Sequence, residues 1–414
     1  MQTKKSTAGV LKRCLSGFLA VAAVASSGIF LNPLKAEAAS PNVLSNSERG
    51  VIYANSRTDF RDESIYFMIV TRFYNGDESN DVQCWDGTQY NLNDPAWRGD
   101  FKGVIEKLDY IKALGFTSIW ITPVVENCSG YDYHGYHAFD MSKVDPRYES
   151  NDCTYQDLID ACHAKGMKVI QDVVFNHTGN FGERNLVPMF TKEGDLSSVD
   201  CLKRLPNSGL PDNYESLLPA RQYAARLALM KNTDGVNHDV NNLYHHFGNF
   251  NWDDYTCQIA QIAGDCVDLN TENPIVYNYL VDTYSKYIDM GVDAFRVDTT
   301  RHISRLTFNK VFNNAFKAAG ERNGKDFFMF GEVCTRDNGN VWYRQSPSMS
   351  TPFYTWKDTK DYPWSDTDWE VNYESAIQNT KDNSDNISEQ PTSQNALLDG
   401  NDSVSYTHLT LPTI

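Results

Sequence analysis

No two cysteines in this chain are spaced C-x-x-C, which speaks against a zinc ribbon or a thioredoxin-like redox motif. No G-x-G-x-x-G follows the first predicted strand, which weakens a dinucleotide-binding fold. Positive charge is scarce: 37 Lys and Arg stand against 54 Asp and Glu, a net charge of −17. A chain this acidic repels nucleic acid and anionic lipid, so the expected substrate is neutral or cationic. Past residue 38 no run is long and apolar enough to span a bilayer.

The start of the chain has a different character. Lys4, Lys5, Lys12 and Arg13 precede an apolar run from Leu15 to Leu31, and Ala36-Glu37-Ala38 follows as a small-x-small cleavage box. That pattern predicts a secretory signal peptide over residues 1–38 and a secreted, extracellular product with no membrane attachment after cleavage. Its removal takes away five basic residues and one acidic one, which moves the net charge from −17 to −21. Eight cysteines then remain, at 84, 128, 153, 162, 201, 257, 266 and 334. An even number in a secreted chain permits disulfides, without fixing their pairing. The chain is expected to be a monomer.

Strand and helix alternate five times from residue 64 onward. Predicted strands run over 64–73, 116–124, 167–177, 292–298 and 326–333. Between them lie helical repeats near 101–114, 154–165, 275–290 and 304–320, several ending at Gly115, Gly166 or Gly291. Asp100 is placed to cap the first helix. The strands are continuous apolar runs, the mark of a parallel sheet covered on its faces. A doubly wound open sheet and a (β/α)8 TIM barrel both fit. Four of the five strands end in polar groups, at Arg72, at Asn176 and His177, at Asp298, and at Glu332, which favours the barrel.

The expected domains are a first part of the barrel over 39–177, an inserted subdomain over 178–270 after strand 3, and the barrel's continuation over 271–400. No sixth, seventh or eighth strand is evident. The chain is therefore expected to be incomplete at the C-terminus, with 401–414 a non-native tail.

The stretch G-V-D-A-F-R-V-D-T-T-R-H over 291–302 puts charges into a buried strand, which is costly unless they are paired or used. Asp298 and Glu332 end adjacent predicted strands. Two carboxylates across one cleft are what glycosidic bond cleavage needs, one as nucleophile and one holding a proton for the leaving oxygen. Arg296 shares a strand face with Asp298 and can hold it ionised and aimed. Phe330 and Val333 offer Glu332 an apolar setting that raises its pKa. Asp172 is expected to brace the site through hydrogen bonds. His245 and His246 point apart at i, i+1 spacing, which argues against a metal pair. The aromatics Trp342, Tyr343, Tyr354, Trp356, Tyr362 and Trp364 either line outer sugar subsites or fold a loop.

These segments resemble the alpha-amylase family, glycoside hydrolase family 13. D-V-V-F-N-H at 172–177, F-R-V-D-T-T-R-H at 295–302 and F-G-E-V at 330–333 are similar to its first three conserved regions, in order, and Y-H-G-Y at 133–136 to its sugar-stacking turn. Arg301 stands where Lys is more usual. The resemblance implies a retaining hydrolase of alpha-1,4-glucosidic bonds in starch or maltodextrin, with an alpha-glucan as binding partner. A cyclodextrin-forming transglycosylase and a non-catalytic starch-binding fragment are the alternatives. By the same resemblance Asp298 is the nucleophile and Glu332 the acid/base. Arg296, Tyr136, His134, His177 and His302 serve the substrate site, Tyr136 by stacking. Calcium is the implied cofactor, held by Asn176, the carbonyl of His302, and Asp265 as the candidate from the inserted segment. The family's fourth region, with a third carboxylate, has no convincing counterpart. Asp402 is the nearest imitation.

Overall fold

The structure, a computed structural model, describes residues 59–82, 98–128, 133–251, 255–332, 362–382 and 401–404. The predicted signal segment, Cys84, Cys334, Trp342, Tyr343, Tyr354, Trp356 and residues 405–414 lie outside them. Six strands form one parallel sheet in sequential order: β1 (Ile65–Met68), β2 (Ser118–Ile121), β3 (Lys168–Val174), β4 (Ala294–Asp298), β5 (Phe328–Glu332) and β6 (Asn401–Val404). Parallel neighbours taken in chain order, with helices in the crossovers, are the build of a (β/α)8 barrel. Among the described residues the sheet does not close on itself.

Helix α1 (Phe101–Ala113) begins where Asp100 accepts a hydrogen bond from the Gly103 N–H at 2.6 Å, and it buries Val104, Leu108 and Ile111. Helix α2 (Tyr155–Ala164) starts from a capping box in which Thr154 and Asp157 satisfy each other's backbone N–H groups. Within 178–270 lie a short ladder of Phe190–Lys192 on Leu202–Arg204 and a helix, α3 (Pro219–Lys231), for which the sequence has no strong period. Pro274 opens α4 (Pro274–Met290) and Gly291, at φ 116, ends it. Helices α5 (Asn313–Arg322) and α6 (Trp369–Asp382) come before and after β5.

Alternation along each strand divides its side chains between two layers. Phe295 points outward and meets Phe316 and Phe327, while Phe175 just past β3 packs on Tyr284, Phe312 and Phe316. Inward, Ile170, Ala294 and Phe330 form a small separate cluster ringed by Phe60, Ile65, Trp120 and Phe328. This apolar floor lies beneath the inward positions one step further along, which are Asp172, Arg296 and Asp298, and Glu332.

Several expectations are corrected. The first strand stops at Met68, and Val70–Phe73 turns into a short helix. Arg72 therefore ends no strand; its guanidinium lies 4.2 Å from the centre of the Tyr133 ring. An unbroken apolar run cannot by itself tell a strand from a buried helical turn. Within the helical repeat near 275–290, Ile275 is 52% exposed while Tyr277 is buried. A sixth strand does exist: Asn401–Val404 pairs with Met329–Glu332, so these four residues of the expected tail join the sheet. Its sequence N-D-S-V is too short and polar to announce a strand. Cys153, Cys162, Cys201 and Cys266 are free thiols.

Candidate active site

Three neighbouring strands bring four charged side chains to one place. The register sets Arg296 opposite Asp172 on β3 and opposite Phe330 on β5, so Asp298 and Glu332, each two residues on, face the same space. Arg296 Nη1 donates to Asp172 Oδ2 at 2.9 Å and to Asp298 Oδ1 at 2.8 Å, while Nη2 donates to Glu332 Oε2 at 2.5 Å. One guanidinium thus gathers three carboxyl groups.

Asp172 is fully buried and also accepts from Trp120 Nε1 at 3.0 Å and from the Tyr136 hydroxyl at 2.9 Å. It braces the site as expected, and it reaches further, tying β2 and the Tyr136 turn to Arg296. Thr299, directly after Asp298, takes a left-handed φ of 51°, a strained conformation of the kind that gathers at functional sites. Gly331 is needed beside it, because an added Cβ would lie 2.3 Å from Thr300 Oγ1.

The charge balance follows from this crowding. Burial pushes the Glu332 carboxyl above the usual range; Arg296 pulls it back, and Asp298, which also hydrogen-bonds it, adds to the rise. Burial likewise raises Asp172 against the pull of Arg296, with the Asp298 charge adding to it. Arg296 keeps its proton despite burial, because Asp172, Asp298 and Glu332 surround it. Three acids around one base in a poorly hydrated pocket favour retention of a proton on one of the acids.

The histidines sit around this centre. His134 Nδ1 accepts from the Tyr136 N–H at 3.1 Å, and its ring lies 5.5 Å from the Tyr136 ring. His177 is buried with Nε2 3.1 Å from the Tyr136 carbonyl. His302 Nδ1 donates to the Cys257 carbonyl at 2.9 Å. Burial, helped by Arg301, drives the His302 pKa down to about 3, so this ring is a neutral hydrogen-bonding group.

The expected cation ligands divide into two places. Asn176 accepts from the Leu269 N–H through its carbonyl, next to a two-residue ladder in which Asp268 faces His177. Asp268 Oδ1, Asn270 Oδ1 and Glu272 Oε1 are buried there without a hydrogen-bond partner. Asp265 instead joins His137 and Cys266, whose ligand atoms all lie within 4.8 Å of one another. Burial opposes the Cys266 thiolate, yet His177 and His137 outweigh it and bring the thiol down to about 7. Sequence reading passed over Asp268, His137 and Cys266. An acid directly before the L-N-T-E-N turn could have pointed to the first, whereas only proximity in space reveals the other two. His245, set aside as one of a metal pair, is held between Asp268 at 2.7 Å and Glu272 at 2.9 Å; His246 turns to Asp239 at 3.1 Å.

Comparison with known proteins points to one family. Residues 67–402 match the family model for the alpha amylase catalytic domain. An alpha-amylase of Streptomyces lividans is 31% identical over 84% of this chain and 39% of its own length. A cyclomaltodextrin glucanotransferase of Klebsiella oxytoca is 30% identical over 71% of this chain and 40% of its own length. The chain thus spans about two fifths of these curated relatives. Among solved structures, a cyclomaltodextrin glucanotransferase with a three-domain ABC distribution superposes with a TM-score of 0.51 at 22% identity, over 83% of this chain and 71% of that one, a likeness of fold.

Proposed function

The chain belongs to the alpha-amylase family, and we propose that it is a secreted, retaining glycoside hydrolase that cleaves alpha-1,4-glucosidic bonds of starch or maltodextrins. The observation that carries this reading is the single guanidinium of Arg296 joining Asp298 and Glu332 from adjacent strand ends. Two carboxyl groups bridged by one guanidinium suit the short separation of about 5–5.5 Å in a retaining enzyme better than the about 6.5–9.5 Å of an inverting one.

Asp298 attacks the anomeric carbon as a carboxylate. The bond from that carbon to the glycosidic oxygen breaks, and Glu332 gives its proton to the departing oxygen. The glycosyl–Asp298 ester is then cleaved by a water whose proton returns to Glu332, restoring both groups. The raised pKa of Glu332 suits the first half, because the group must arrive protonated. Tyr136, tied to Asp172, is positioned to pack on the sugar's C–H face. His134, His177 and His302 would supply hydrogen bonds to the sugar hydroxyls.

Calcium fits the oxygen-rich segment beside Asn176. The buried Asp268 oxygen without a hydrogen-bond partner is the kind of donor a hard cation uses. Asn176, Asp268 and the His302 carbonyl would hold the ion, with Asp268 in the role given to Asp265 from sequence. Its contribution is structural, fixing β3's exit against the inserted segment. Chelation with EDTA should lower the melting temperature, and calcium should restore it; an unchanged melting curve counts against the site.

The reaction itself is tested by incubating the protein with starch and separating the products. Linear maltodextrins with retained anomeric configuration support hydrolysis. Cyclic products mean that a sugar hydroxyl replaces water in the second half, while starch binding without new reducing ends removes the catalytic claim.

A further inference from the structure

We propose that His137, Asp265 and Cys266 form a binding site for a zinc-like transition metal, separate from the calcium position and from the catalytic acids. His137 Nε2 lies 3.5 Å from Cys266 Sγ and 3.7 Å from Asp265 Oδ2, and Cys266 Sγ lies 3.9 Å from Asp265 Oδ1. A tetrahedral zinc with bonds of about 2.0–2.3 Å has ligand-to-ligand edges of about 3.3–3.8 Å. The His137–Cys266 separation matches such an edge, the two Asp265 separations belong to its two different oxygens, and one ligand atom from each residue lies within 4.8 Å of the other two, so a small rotation of the Asp265 carboxylate would complete one face of that tetrahedron.

The donor types point the same way. A thiolate, an imidazole and a carboxylate make a set that zinc accepts and calcium does not seek. His137 and Cys266 are buried, while Asp265 reaches solvent and gives an ion a path in. Water would take the fourth position. His137 also has its backbone fixed, since its N–H donates to Asn127 Oδ1 at 2.9 Å. Its ring stands edge-on to His134 at 4.9 Å.

The site would join two segments distant in sequence: the Tyr133–His137 turn, which carries Tyr136, and the turn at Ala263–Cys266. A bound metal would tie the sugar-facing turn to the inserted segment and stiffen one wall of the cleft.

The test uses the full chain, stripped with EDTA and then reloaded with calcium. Zinc is titrated by calorimetry and cobalt by absorption. The expected result is one zinc per chain that excess calcium does not displace, and a cobalt spectrum with a thiolate charge-transfer band and tetrahedral visible bands. Cys266→Ser and His137→Gln should each weaken zinc by at least the about 10- to 100-fold that loss of a supporting partner costs, and Cys266→Ser should abolish the charge-transfer band. Asp265→Asn, on the exposed side, gives the same test without risk to folding and should also weaken zinc. Absence of stoichiometric zinc binding overturns the proposal. So does binding unchanged in all three variants, or a cobalt spectrum with no thiolate band.

Discussion

At the start of β4, Asp293 accepts from the Val169 N–H at 2.8 Å, sits 2.8 Å from His163 Nε2 and accepts from Lys325 Nζ at 3.1 Å. At the end of the same strand, five residues on, Asp298 shares one arginine with two other acids. Both carboxyls are largely buried. The first has more bases than acids around it, and its pKa is lowered: burial would raise it, but the His163 and Lys325 partners prevail. Around the second the acids outnumber the base, and burial holds Glu332 and Asp172 above their ordinary range. One end of the strand spends its charges on holding the sheet to its helices. The other keeps an unresolved excess of acid, which is usable in proton transfer and costs stability. This is the division between the two faces of a parallel barrel.

The sharpest way to break the contrast is Asp298→Asn. If the end of β4 is chemical, activity on starch should fall at least about 10,000-fold, as when a nucleophile is removed. The melting temperature should not fall, because the change relieves crowding among three acids. A variant that unfolds while a purified folded fraction keeps normal turnover would make Asp298 a structural group like Asp293.

Glu332→Gln comes next, with an expected loss of about 100- to 10,000-fold for a missing general acid. It also separates the two roles. A glycosyl fluoride, whose leaving group needs no proton, should lose far less rate than starch does with this variant. It should lose as much as starch does with Asp298→Asn. Equal losses on both substrates for Glu332→Gln would deny it the acid's part.

Much of this contrast is legible in the sequence, for identifiable reasons. The i, i+2 spacing of Arg296 and Asp298 sets them on one face, and the apolar residues around them, Ala294, Phe295 and Val297, mark the strand. The reach of Asp172 was not legible, since its partners Trp120 and Tyr136 come from residues 52 and 36 positions away. The early end of β1 was hidden because Val70 and Thr71 are buried in a helical turn as fully as in a strand. The sixth strand gave no sign because its place in the sheet rests on backbone pairing with β5. The His137 and Cys266 pairing was invisible for the plainest reason, that 129 positions separate them in the chain.

The smallest effect tests the other end of β4. Asp293→Asn should leave turnover of starch within a factor of about two and cost about 2 kcal/mol or more of stability at pH 7, because it strips a largely buried carboxylate from His163 and Lys325. The sign of its pH dependence is fixed by linkage. The folded-state pKa of Asp293 lies below its unfolded value, so its contribution is fully present above the unfolded carboxylate pKa of about 3.9 and is lost as pH falls through the folded value. Parent and variant melting temperatures should therefore differ most near neutrality and converge as pH drops below about 4. A gap that stays constant into acid would mean that Asp293 acts through shape and hydrogen bonding alone. A gap that widens would reverse the assignment and place Asp293 among the strained acids, which would erase the distinction between the two ends of the strand.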